Sequence, residues 1–514
     1  MTPAFARFSM LAAAGLSLAA ALPAQAQDAR DTLRIAMYAT STTRGHVYGT
    51  TFTSPAMFWW EAVYDPFVRI DDKGQPQPMA VEKWEVVNPT TWRVTFKKDI
   101  TFGSGRTNDA ANIVQVFDYL HTDVGKTSGI MRSFAVSSYK AVDSHTVEFV
   151  TPKPDPLLVA KFGAFYLADM KSFSEMGLEA FSSKPVTSGP YRVVSWNDNE
   201  MVAVPNPTSW RKGKVPNLKI TSVPEPSSRM AALESGQTDI IYFAGPDDIP
   251  RIRAAGHTAV VDPAPYVAAV ALFTEDFPNK FNKNGKTPLA DKRLRQAFNY
   301  AVNREAMTKE FLKGITQMSG QPATPSSFGY NPDVKPYPYD PAKAKQLLAE
   351  AGYPNGMEVL METQTGNFVG GSEIVQIVAN DLAQVGVKLT VQPMIQAEFG
   401  NKLRNKKWEG MMSSISMFVG PAMDPALVFA MYGCGLSFSY TCIEELNPLL
   451  AQSGAEMDRA KREAQLKALM KQSHDEALAL YLFDGVDITG VAKRVKGFRN
   501  WNRAVLYEGI SIDG

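Results

Sequence analysis

Cysteine is almost missing from this chain: its 514 residues contain two, Cys434 and Cys442. That excludes a disulfide-built scaffold and any cysteine-rich metal module. Histidine is also scarce. The five residues His46, His121, His145, His257 and His474 lie far apart, and neither H-E-x-x-H nor G-x-S-x-G occurs, so no metal site is expected. Neither charge sign dominates, with 53 Lys and Arg against 52 Asp and Glu, and there is no basic run. Nucleic acid and anionic membranes are therefore not expected partners. No apolar stretch after the N-terminus approaches the length of a membrane span.

The N-terminus supplies the one apolar run. Arg7 precedes Met10–Leu22, and Ala24-Gln25-Ala26 follows as an A-x-A site. This pattern predicts a signal peptide over residues 1–26, cleaved after Ala26, and an exported protein. No cysteine follows the run, which excludes a lipid anchor. Losing Arg7 leaves the mature chain close to neutral. In an oxidising compartment Cys434 and Cys442, eight residues apart, are expected to pair. Two free buried thiols are the alternative.

Motifs of catalysis fail on inspection. Both GKT triplets, at 125–127 and 285–287, lack the preceding glycine of a phosphate loop, with Leu120 and Lys280 in its place. The Ser-x-x-Lys pairs Ser137/Lys140 and Ser209/Lys212 lack the companion signatures of acyl-transfer enzymes. Asp71-Asp72 and Asp247-Asp248 sit beside Gly or Pro, as solvated turns do. The chain is read as a non-enzyme that needs no cofactor.

What is present is a mixed α/β grammar. Asp340 and Pro341 open a helix that Gly352 ends. Asp291 caps a helix whose stripe is Leu294, Ala297, Phe298, Ala301 and Val302, with Gly314 as its stop. After Ile374, Ile377, Val378, Leu382 and Val385, the period switches at Gly386 to the alternation of Val387, Leu389 and Val391. Between Pro76 and Lys184 the texture becomes antiparallel, with Trp92, Val94 and Phe96 answered by Val147 and Phe149. Aromatics concentrate in MFWWEAVYDPF. Adjacent Trp59 and Trp60 cannot both face one core, so one of them is expected to line a cleft.

In this order the segments YDPFVRIDDKGQPQPMAVEKW, SGPYRVVSW, ALESGQTDI, DKRLRQAFNYAVNRE and YPYDPAKAKQLLAEAGYP resemble the solute-binding proteins of dipeptide, oligopeptide and nickel ABC importers, family 5. The resemblance implies an α/β type II periplasmic-binding-protein fold: two lobes with a hinge, plus an extra inserted α+β domain. Lobe I is expected over 28–70, 188–275 and 488–514, the insert over 71–187, and lobe III over 276–487. It implies a periplasmic monomer that carries a small-molecule or peptide ligand to a membrane permease. An exported hydrolase and a non-transport sensor or chaperone on the same fold are the competing functions. Dipeptide binders of the family hold the ligand's amine with an Asp and its carboxylate with an Arg. Here Pro421 and Thr365 stand at those places. Tyr38, Trp59, Trp60, Thr365, Met417, Phe418, Asp424 and Phe483 are the candidate ligand contacts.

Overall fold

The computed structural model describes residues 30–513 except 40, 42, 50–53, 72, 129, 133, 278, 365–367, 421, 430–433, 435–440 and 502–503. The expected leader and cleavage site lie outside the described residues, as does Thr365.

Ten strands form one mixed sheet. Its spatial order is Val387–Met394, Met357–Gln364, Met412–Phe418, Thr258–Leu272, Ala479–Val491, Ile240–Tyr242, Thr32–Met37, Asn217–Ser222, Glu200–Pro205 and Tyr191–Trp196. Two of these are long. Thr258–Leu272 and Ala479–Val491 pair antiparallel through both halves of the molecule, with register breaks between Pro263 and Val267 and between Ala268 and Ala269. Their first and last halves serve different lobes, so these crossing strands are the hinge. A second, four-stranded antiparallel sheet carries Val81–Asn88, Thr91–Phe96, Thr146–Val150 and Ser138–Ala141. It packs on the helix Ala110–Leu120 through Phe117, whose ring meets Phe149 at 4.9 Å. Among the described residues no helix is long and apolar enough to cross a membrane.

Local signals govern many element ends. The Asp340 carboxylate accepts the Lys343 amide and Pro341 opens the helix Pro341–Glu350. Gly386, with φ at 89°, turns the helix Gly371–Gln384 into a strand parallel to Met357–Gln364. The segment after Asp291 departs from expectation. Its helix, Lys292–Ala301, stops at an extended Val302 instead of running to Gly314, and Asn303 caps a fresh turn by accepting the Ala306 amide. The buried Arg304 guanidinium causes this break: it donates to the carbonyls of Asn299 and Tyr481, tying the helix end to a crossing strand.

The turn Ser188-Gly189-Pro190 brings the chain back to the outer edge of the large sheet. A Cβ on Gly189 would lie 2.3 Å from the backbone of Val63. Only glycine allows that approach, and its amide donates to the Val63 carbonyl.

Cys434 and Cys442 are bonded, with Cα atoms 4.6 Å apart. The Cys442 amide donates to Thr274, which fixes the bridge beside a crossing strand. A loop this short corresponds to about 2–3 kcal/mol in the chain-entropy treatment. The double serine variant should lose that much in denaturant titration. Equal midpoints would show the bridge to be energetically idle.

Candidate functional site

Parallel strands end on a common edge, and ligands of open α/β sheets collect beyond that edge. Here two such edges face each other. Thr32–Met37 and Ile240–Tyr242 run parallel in one lobe, and Met357–Gln364 with Met412–Phe418 in the other. Residues just past these ends line a cavity of about 410 Å3. Tyr38 and Phe243 form one wall, their rings edge to face at 4.3 Å. Phe311, Phe368 and the first turn of the helix Gly371–Gln384 form the other. Gly370 sits in the left-handed region at φ 69°, and a Cβ there would meet the Phe311 ring at 2.6 Å. Glycine therefore lets that ring close against the helix start.

Arg229 fixes the first wall. Its buried guanidinium donates to the carbonyls of Val223, Pro224, Tyr242 and Phe243. Burial pushes its pKa down to about 10, with Glu225 opposing the shift. Phe243 needs this support: its φ of 56° is a region that bulky residues rarely occupy. Strain held by the two hydrogen bonds to Tyr242 and Phe243 beside a cavity is how sites are pre-organised. The remaining charge at the rim is acidic. Asp248 accepts from Arg251 and from the Gly245 amide, while Asp247 lies 3.6 Å from Lys313 of the opposite lobe. That exposed interlobe pair contributes little energy.

Of the expected contacts, Tyr38 lies on the cavity wall. Phe418 is half-buried at the end of its strand. Phe483 is fully buried, its ring 5.9 Å from Phe368, so it backs the wall. Met417 is buried in the core. Asp424 binds Arg462 with both oxygens, at 2.6 and 3.0 Å, and also accepts the Ala426 amide. The expectation that Trp59 or Trp60 faces a cleft is corrected. Both have no exposed surface. The helix Ser54–Val63 is enclosed on all described faces: Trp59 stacks on Trp196 and donates to Ala39, while Trp60 meets Tyr166 and donates to Arg44. The two adjacent indoles point about 100° apart on the helix, yet both are buried in one continuous hydrophobic cluster. Phe243, Phe311, Phe368 and Arg229 went unnoticed in the sequence. An aromatic directly after the strand Ile240–Tyr242 was the available signal.

A two-lobed sheet protein with crossing hinge strands and a cavity between facing strand ends is a cleft-binding protein. Residues 75–437 match the family described as bacterial extracellular solute-binding proteins, family 5 Middle, and the chain belongs to that family. It is the solute-binding component of an ABC importer. A dipeptide-binding protein of Escherichia coli strain K12 is 25% identical over 458 residues, covering 82% of this chain and 83% of the relative. Heme-binding protein A of Haemophilus influenzae is 25% identical over 400 residues, 74% of this chain and 70% of the relative. The fold also matches the oligopeptide-binding protein AppA of Bacillus subtilis, solved with a nonapeptide. The TM-score is 0.78 at 16% identity, covering 94% of this chain and 99% of that one.

Proposed function

We propose that this protein captures a small organic solute without a free carboxylate, an aromatic or otherwise flat apolar one, in the cleft between its lobes. The signal peptide is removed after Ala26, and the protein works in the periplasm as a monomer, without catalysis. Lobe I is built on 28–70, 188–275 and 488–514 and lobe III on 276–487, with the crossing strands Thr258–Leu272 and Ala479–Val491 shared between them, and 71–187 form the insert. Hinge closure, selected by contacts to both walls, presents the loaded form to the permease.

The observation that carries the ligand class is the wall chemistry. Four aromatic rings line the cavity, and its one described arginine, Arg229, is engaged by backbone carbonyls. A desolvated ligand carboxylate has no described partner there, and an unpaired buried ion costs several kcal/mol. Pro421 and Thr365, which stand where relatives place charge anchors, lie outside the described residues.

The test is calorimetric titration with alanyl-phenylalanine beside its neutral N-acetyl amide counterpart and neutral aromatic amides. Dipeptide binding should be weak, and neutral aromatic probes should bind more tightly. Tyr38→Ala and Phe368→Ala should each weaken the best probe by about tenfold, which is ~1.4 kcal/mol and within the range of aromatic contacts. Submicromolar binding of the free dipeptide would overturn the ligand class.

A further inference from the structure

The hinge holds a second cavity. Where the crossing strands lose register, Tyr266 folds over Gly485 and its hydroxyl donates to the Val486 carbonyl. A Cβ at Gly485 would lie 2.5 Å from the Tyr266 carbonyl, so the two strands approach more closely here than side chains permit. Beside this crossing is a cavity of about 520 Å3, lined by Val261, Pro263, Ile315, Thr316, Thr324 and Asp484. It shares no lining residue with the interlobe cavity.

Asp484 is the unusual member. Only 7% of it is exposed. One carboxylate oxygen accepts from the Gln317 side chain at 2.7 Å, and the other, itself inaccessible to water, has no hydrogen-bond partner among the described residues. Its backbone is fixed on both sides: the amide donates to the Gln317 carbonyl, and its carbonyl accepts the Thr316 hydroxyl at 2.5 Å. Among the described residues no lysine or arginine forms an ion pair with it. Burial raises its pKa to about 6, with Gln317 and Ser319 pulling the other way. The carboxylate is therefore still charged near neutral pH, in a place where charge is expensive without a partner.

We propose that this hinge cavity binds the ammonium group of a small organic amine, with Asp484 as counter-ion and the aliphatic lining around the amine's carbon body. A hard metal cation is a poor occupant, since it requires six or more oxygen ligands and one carboxylate dominates here. An ammonium needs only three acceptors, and Asp484, Thr316 and Thr324 all line the cavity. Because the cavity is built from the crossing strands, its occupant stiffens the segment on which the lobes turn. The inference does not depend on the ligand class of the interlobe cleft.

Thermal-shift and calorimetric titration of the mature protein at pH 7.5 test it, with cyclohexylmethylammonium as probe and the isosteric cyclohexylmethanol as control. The ammonium should bind and raise the melting temperature, and the alcohol should bind at least tenfold more weakly. Asp484→Asn is nearly isosteric and removes an uncompensated charge, so it should fold and lose that discrimination. Ala264 also lines the cavity, so Ala264→Leu, which fills it and keeps the charge, should lose binding of both probes. Tyr38→Ala, in the other cavity, should leave ammonium binding unchanged. Equal binding of the two probes, or ammonium binding that survives Asp484→Asn, would overturn the proposal.

Discussion

Replacing Arg211 by methionine is expected to lower the free energy of unfolding by about 3–5 kcal/mol, the range for breaking a buried ion pair from one side. Its guanidinium donates to Asp65 at 2.6 Å, to Glu508 at 3.1 Å and to the Tyr64 carbonyl at 2.6 Å. Arg69 completes the network, reaching Glu61 at 2.8 Å and Glu508 at 2.9 Å. Asp65 has no exposed surface and, with Arg211 gone, keeps only the Trp210 indole N–H among its described side-chain donors. The network joins residues 61–69, Arg211 and the C-terminal Glu508, three stretches far apart in sequence that meet in one lobe.

The pH dependence follows from Glu508. Burial raises its pKa, but Arg211 and Arg69 more than offset this and hold it below the ordinary carboxylate range. A folded-state value below the unfolded one stabilises the protein above the unfolded value, roughly pH 4.3, and the gain is lost as pH falls through the folded value. The penalty of Arg211→Met should therefore be full at pH 7 and smaller in acid below about pH 4. Urea titrations of wild type, Arg211→Met and Arg211→Lys at both pH values decide the matter. Lysine keeps the charge but not the three-way fork, so it should fall between the other two. A loss of under about 1 kcal/mol for methionine at pH 7 would place the network among weak surface pairs.

Elements specified by nearby residues were legible in the sequence. Asp340 with Pro341, Asp291, and the switch at Gly386 each act within a turn of their own position, and each is found where its chemistry puts it. The family order of segments was legible for the same reason, because each segment is a local pattern. The break at Val302 was not, since its cause is a guanidinium reaching Tyr481, 177 residues on. The tryptophans were misread because periodicity tells how many faces a helix buries only when the surrounding elements are known. Here Ala39, Arg44 and the strand Tyr191–Trp196 cover the face expected to be open. Phe243 gave no warning that its backbone would be left-handed, a conformation braced from another segment by the Arg229 bonds to the Tyr242 and Phe243 carbonyls. Asp484 looks unremarkable in LYLFDGVDITG, because its solitude depends on what the hinge does not bring near it.

Asp424 separates the two kinds of role a sequence motif can carry. It belongs to the segment GPAMDP, and as a lone carboxylate near the cleft it was a natural ligand anchor. Its geometry is that of a brace. Both oxygens are bound by Arg462 of the helix Arg459–Asp475, and neither residue has more than 4% of its side chain exposed. Arg462 also donates to the Ser453 carbonyl and faces the Phe328 ring at 5.4 Å, while the Phe328 amide donates to Met423. Asp424, six residues after the strand Met412–Phe418, is thus tied to a long helix. Asp424→Ala is expected to cost about 3–5 kcal/mol in stability, since it strands the Arg462 charge in the core. Arg462→Met should cost a similar amount. The double variant Asp424→Leu with Arg462→Met should lose clearly less than the sum, because no unpaired ion remains. A ligand anchor would behave differently: Asp424→Asn would lower affinity while leaving the urea midpoint near wild type. The brace predicts the reverse order, with stability lost first and affinity for a neutral probe changing only as far as the loop shifts. Urea titration alongside calorimetry on the same four proteins separates the two, and additive losses in the double variant would show that the pair is not the brace the geometry describes.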